Sequence, residues 1–236
     1  MGKGKKQVSA NVFRKLNVDI NSKIPKDVCT EICDDISSIL DRRIIPFGST
    51  GLKDFSGDID CIVECKNQDE LWDQVVNSFE ISHRSGKYIF ILYRHPEAGF
   101  IQVDLVASRE PQNDAWCLAG GLPNGTKGRY RNILLGYLAN IKSKNTGTKI
   151  TFASPGGLGE QKNKSKARIT NPRLILDELG LACTIDQGRS LEGIIDWMID
   201  NNEEQMLNGF DDYLRNPRDH MPDITEEVIK YINSRI

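Results

Sequence analysis

Between Pro25 and Val106 the apolar residues switch repeatedly between two periods, and this alternation constrains the fold more than any other feature of the chain. Val28, Ile32, Ile36, Ile39 and Leu40 recur at steps of three and four behind Pro25. That is the stripe of an amphipathic helix with proline in its first turn. Leu71, Trp72, Val75, Val76 and Phe79 repeat it. Around these helices Ile44 and Ile45, then the alternation Ile59, Cys61, Val63, then the runs 88–93 and 100–106 read as strands, the last two joined by a turn at 95–99. Interleaved periods of this kind call for a sheet with helices packed on it, so the first half reads as α/β.

The second half changes character at the glycine-rich stretch 120–128. Ile133, Leu134, Tyr137, Leu138 and Ile141 predict a helix over 129–141, and 149–153 reads as a strand. Residues 154–166 form a Pro/Gly/Lys loop. Asn171 and Pro172 cap a short helix closed by Gly180, and Ser190 caps another. Helical patterns near 203–214 and 224–232 complete an acidic tail. The expected organisation is a basic N-terminal segment 1–24, an α/β domain 25–118, a subdomain 119–189 carrying a basic loop 154–168, and an acidic helical extension 190–236.

A 39% hydrophobic content supports a real core. No apolar run is long enough for a membrane span, and Met1–Lys6 are basic with no apolar run behind them. Six cysteines without a leader point to free thiols in a cytoplasmic location. Cys29 and Cys33 read as core packing. The net charge of −2 conceals a division into three parts. Residues 127–173 hold eleven basic side chains against Glu160 alone, whereas the preceding part is at −3 and the following one at −9. Such a block is an electrostatic footprint for a polyanion.

The residues that carry chemistry are Gly48-Ser49, then Asp58-Ile59-Asp60, then Asp104 inside the apolar run 100–106. On a strand Asp58 and Asp60 project from one face while Ile59 and Cys61 pack on the other. Like charges so held repel unless a divalent cation lies between them. Asp104, with Val103 and Leu105 on the core side, supplies a third oxygen ligand. Three carboxylates on adjacent strands suit two Mg²⁺ ions, with Mn²⁺ able to substitute, in the arrangement used for phosphoryl transfer. Gly48-Ser49 precedes a polar segment that opens a short helix in this reading. Its exposed N–H groups and the Ser49 hydroxyl would bind a β- or γ-phosphate.

With these residues in place, the chain resembles the nucleotidyltransferase superfamily typified by DNA polymerase beta. The string Ser56-Gly57-Asp58-Ile59-Asp60 is similar to the family X polymerase version. The resemblance covers about 25–189 and continues through Asn132-Ile133-Leu134-Leu135 with Ala139, and through Thr170–Gly180. It implies a nucleotidyltransferase palm with a mixed β-sheet and flanking helices, followed by a smaller, mostly helical domain. It also implies that Asp58, Asp60 and Asp104 are the catalytic metal ligands and that Asn132 contacts the incoming base or sugar. The family's arginine pair after Gly-Ser is replaced by Thr50-Gly51-Leu52-Lys53, which leaves Lys53 for the triphosphate. The family's template-contacting arginine, four positions beyond the asparagine, is Gly136 here.

The expected activity is transfer of a nucleoside monophosphate from an NTP or dNTP to a hydroxyl with release of pyrophosphate. The expected acceptor is a nucleic-acid 3′-end held by 127–173, with weak or no templating and no role for a membrane. Two rivals stand beside it. One is a nucleotidyltransferase acting on a small molecule or protein, or making oligonucleotide signals; the other is a non-catalytic nucleic-acid-binding module. Trp72, Trp116 and Trp197 read as core or interface, and His83, His95 and His220 show no partner pattern.

Overall fold

The computed structural model describes residues 12–13, 16, 18–50, 52–86, 88–118, 128–154, 156–161, 168–215 and 222–235. The chain is a mixed α/β protein that divides into two compact units, residues 1–111 and 112–236. Among the described residues no helix is long and apolar enough to cross a membrane.

The first unit runs β1 (Ile24–Pro25), α1 (Lys26–Leu40), β2 (Ile44–Pro46), β3 (Phe55–Ser56), β4 (Ile59–Glu64), α2 (Gln68–Ser78), β5 (Ser82–Ser85), β6 (Tyr88–His95) and β7 (Gly99–Ser108). Five of these strands form one mixed sheet in the order β2-β4-β7-β6-β5. Among the described residues its only parallel strand pair is β4 with β7. Pro25 sits at the N-cap of α1 with extended backbone rather than inside the first turn. The buried line of that helix is Cys29, Ile32, Cys33, Ile36 and Leu40, whereas Ile39 is 46% exposed. The two cysteines therefore belong to the stripe that the aliphatic pattern assigned to Val28 and Ile39. Asn67 caps α2 by accepting the Glu70 N–H at 2.8 Å.

Alternation along the strands gives the sheet two unlike faces. Ile59, Cys61, Val63, Ile89, Ile91, Ile101, Val103 and Leu105 pack under α1 and α2. Cys33 of α1 meets Cys61 there, sulfur to sulfur at 3.4 Å. The opposite face carries Asp60 and Asp104 beside Phe90, all three in register across β4, β7 and β6. Phe13, Phe90 and Leu92 form a small apolar cluster on it, with Val12, Val18, Ile20, Tyr88 and Phe100 packed around them.

The second unit comprises α3 (Pro111–Leu118), α4 (Gly128–Thr146), β8 (Ile150–Ala153), β9 (Gly157–Glu160), α5 (Pro172–Glu178), α6 (Leu191–Asp200), α7 (Glu204–Arg215) and α8 (Pro222–Arg235). The division between units falls in the first turn of α3, after Pro111. Residues of α6, α7 and α8 share one core with those of α3, α4 and α5, so the acidic extension is part of this unit. Trp116 and Trp197 are buried in that core. Caps form as the sequence indicates. Asn171 accepts the Leu174 N–H, Ser190 accepts the Gly193 N–H, and Gly180 takes the left-handed conformation at φ +75°.

A strand forms where the sequence reading places a loop. Residues 157–160, assigned to a loop, pair antiparallel with β8 as strand β9. Leu158 exchanges hydrogen bonds with Ile169 on its other side, at 2.9 and 2.8 Å. A Cβ on Gly157 would lie 2.0 Å from the Ile169 carbonyl oxygen, so glycine is what lets the two backbones approach. The low strand propensity of glycine hides this hairpin from pattern reading.

Candidate active site

The carboxylates gather where β2 turns toward β4. Phe47 donates its N–H to the Asp60 carbonyl at 3.0 Å, and the chain then bends through Gly48 in the left-handed region at φ +68°. A Cβ at Gly48 would stand 3.1 Å from Asp60 Oδ2, so this glycine lies directly against the carboxylate. The expected short helix does not form. Thr50 N–H bonds Phe47, and the Leu52 and Lys53 N–H groups both bond the Ser49 carbonyl, giving a succession of tight turns. Among the described residues neither the Gly48 nor the Ser49 N–H has an acceptor.

Thr50 is the residue that pattern reading missed here. It is buried, and its Oγ1 accepts the Asp60 N–H at 2.9 Å while donating toward the Asp58 carbonyl at 3.5 Å. One hydroxyl thereby fixes the backbone of Asp58-Ile59-Asp60 against the turn. Asp58 itself precedes β4, rather than lying within it as the strand reading had it.

Across the sheet, Asp60 and Asp104 are register partners on the parallel pair β4 and β7. Directly opposed residues of a ladder project from the same face, so the two carboxylates share it. Gln102, two residues before Asp104 and therefore also on that face, donates Nε2–H to Asp104 Oδ1 at 2.9 Å. Period two alone marks Gln102 as a neighbour of Asp104; the register that brings up Asp60 is not legible in the sequence.

Electrostatics follow from this crowding. Burial, then the charges of Asp58 and Asp104, push the Asp60 carboxyl up to about 8. Asp104 is pushed up to about 7 by burial, against the lowering hydrogen bond from Gln102 and with Asp58 adding to the rise. Burial also raises Asp58. The Tyr88 phenol is raised by burial and by both Asp60 and Asp104, which marks it as a further neighbour. Among the described residues no lysine or arginine pairs with these three carboxylates.

The three do not converge into a ready-made cage. Asp60 and Asp104 share a face, all three lie in one field, and among the described residues none has a counter-cation. A set of hard carboxylate oxygens in that state fits Mg²⁺ or Mn²⁺ rather than a softer metal.

No family model matches the chain, and no curated protein matches it.

Lys53 is half-buried, and its backbone belongs to the same turn as Ser49. Asn132 lies in α4 of the second unit. Its Oδ1 accepts from Arg131 at 3.1 and 2.6 Å, and its Nδ2 donates to the Leu118 carbonyl at 3.2 Å. That amide is committed largely to holding α4 against α3. Arg131 is fully buried, stacks on Trp116 at 4.6 Å and bonds the Trp116 and Cys117 carbonyls, so it closes the C-terminal end of α3.

Other members of the basic block are likewise spent inside the unit. Arg168 bonds the carbonyls of Gly156, Thr151 and Gly157 at 2.8, 2.7 and 2.6 Å, Arg173 bonds those of Cys183 and Leu181, and Lys142 pairs with Glu178. Lys162, Lys164, Lys166 and Lys127 lie outside the described residues, as do 119–126 and His220.

Proposed function

We propose that the chain is a metal-dependent nucleotidyltransferase whose first unit is a palm of the DNA polymerase beta-like type. The observation that carries this reading is the register pairing of Asp60 with Asp104 on one sheet face, with Asp58 in the same field and Gly48 against Asp60. Asp58, Asp60 and Asp104 would hold two Mg²⁺ ions. Divalent cations bound there supply charge neutralisation for a triphosphate and lower the pKa of an attacking hydroxyl.

The chain's own residues do the rest. The unpartnered N–H groups of Gly48 and Ser49 receive a β- or γ-phosphate, and the Lys53 ammonium offsets its charge. Asp104 accepts the proton of the acceptor hydroxyl on Oδ2, because Oδ1 is held by Gln102. The hydroxyl oxygen bonds to the α-phosphorus of an NTP or dNTP, and pyrophosphate leaves.

The leading acceptor is a nucleic-acid 3′-end bound through the basic segment 127–173. A specific observation favours a second reading, a small-molecule or protein acceptor or the making of oligonucleotide signals: Arg131, Lys142, Arg168 and Arg173 are already engaged within their own unit. Incubation with each labelled NTP and dNTP, with and without single strand or primer-template, in Mg²⁺ and in Mn²⁺, separates the cases.

Addition to 3′-ends with steeply salt-dependent binding supports the first acceptor, since each neutralised phosphate adds to the salt slope. Gly136 in place of a template-contacting arginine leads to weak or no templating. A preference of more than about 100-fold, or about 2.7 kcal/mol, for the correctly paired nucleotide would overturn that part. Nucleic-acid binding without transfer or Mn²⁺ binding would leave the third reading, a non-catalytic nucleic-acid-binding module.

A further inference from the structure

The face that carries the carboxylates is partly covered by Val12, Phe13, Val18 and Ile20. Phe13 is 4% exposed and packs with Phe90 and Leu92, while Val12, Val18 and Ile20 add to the same cluster. Ile20 bridges Phe100 in parallel, and Asn21 bonds the Phe100 carbonyl through its N–H at 2.8 Å and the Ala98 carbonyl through Nδ2 at 3.2 Å. Among the described residues, this segment reaches Asp104 through Gln102. The Val12 N–H donates to Gln102 Oε1 at 3.2 Å, and Gln102 Nε2 donates to Asp104 Oδ1 at 2.9 Å.

A primary amide can present its N–H₂ to a carboxylate only while its oxygen points the other way. In the buried position of Gln102, a donor on that oxygen fixes which way the amide faces. The Val12 N–H is such a donor. We infer that Val12–Phe13 and Val18–Asn21 form a strap whose seating orients Gln102 and thereby holds Asp104 for a divalent cation. Gln102 is then a positioning residue, and metal affinity is tied to the seating of Val12–Phe13 and Val18–Asn21. The role of the ion in this inference rests on the nucleotidyltransferase reading.

The inference is tested in the full chain with Mn²⁺ alone, counting free Mn²⁺ by electron paramagnetic resonance and checking each variant's fold by circular dichroism. Gln102→Met keeps the side-chain length and removes the amide's hydrogen bonds to Val12 and Asp104. It should weaken Mn²⁺ binding about tenfold or more, the usual effect of losing a partner that orients a metal ligand. Phe13→Asp, which unseats the strap, should weaken it comparably. The double variant should bind no worse than Gln102→Met, because unseating the strap acts only through an amide that is no longer there.

Should Phe13→Asp fail to fold, Val12→Pro deletes the donor and leaves Phe13 in place. Wild-type affinity in Gln102→Met, or full additivity of the two changes, would overturn the strap and leave the nucleotidyltransferase reading standing. A wild-type chain that binds no Mn²⁺ would overturn both.

Discussion

Asp60 and Asp104 stand opposite each other on parallel strands, on a face where burial and the neighbouring carboxylates hold Asp60 up to about 8 and Asp104 up to about 7. Both ordinarily ionise near 3.8. Between those values the folded chain binds protons that the unfolded chain has released, so stability falls as pH rises. This contribution is fully present below about pH 4 and is lost by about pH 8 in metal-free protein. Thermal midpoints in a chelator should decline across that window. Asp60→Asn should flatten the decline and raise the midpoint at pH 8, by about 2–4 °C for each kcal/mol of relieved repulsion.

Divalent cations should reverse the effect. Mn²⁺ at about 100 times its dissociation constant stabilises a protein by about 2.7 kcal/mol. Asp58→Ala, Asp60→Ala and Asp104→Ala should each lose that gain and abolish nucleotidyl transfer while melting no lower than wild type without metal. Near-wild-type transfer in any one of them would remove that residue from the site.

Gly48→Ala combines two penalties, a left-handed backbone and a methyl 3.1 Å from Asp60 Oδ2. The backbone conformation alone costs about 1–2 kcal/mol. Chemical denaturation should show that loss, and a Mn²⁺ titration should show weakened binding because Asp60 must move. Unchanged affinity would separate the turn from the metal site.

At Gly136, inside α4, an added Cβ meets nothing within 4 Å. Gly136→Ala should therefore stabilise the second unit by about 1 kcal/mol, the helix-propensity difference, as a rise in the urea midpoint with unchanged slope.

The basic block should divide by role. Arg168→Met removes charge-assisted bonds to three carbonyls of the β8–β9 hairpin and should cost about 1.5–3 kcal/mol of stability. Replacing Lys162, Lys164 and Lys166 by glutamate should instead leave stability and nucleotide binding near wild type, weaken nucleic-acid binding and flatten its salt dependence. Salt-independent binding in the triple variant and wild type alike would point to the non-nucleic-acid acceptor.

The local features of this protein were readable from its sequence. Helices α1, α2, α5 and α6, with the Asn171 and Ser190 caps, and the strands bearing Asp60 and Asp104, follow from apolar period and capping chemistry, which act over a few residues. The carboxylates were legible as a pattern for the same reason, since Asp60 and Asp104 interrupt apolar strands and Asp58 stands just before the first of them. Tertiary structure alone decided which strands pair. It set Asp60 against Asp104, brought Phe13 onto Phe90, and joined Val12 to Asp104 through Gln102.

Tertiary contacts also turned Gly157–Glu160 into a strand against its own propensity and drew Arg131 and Arg168, nominally part of a polyanion footprint, onto carbonyls inside their unit. Such outcomes depend on partners distant in sequence. Pairing register and the burial of a charge are properties of two segments at once, and neither segment's own pattern contains the other.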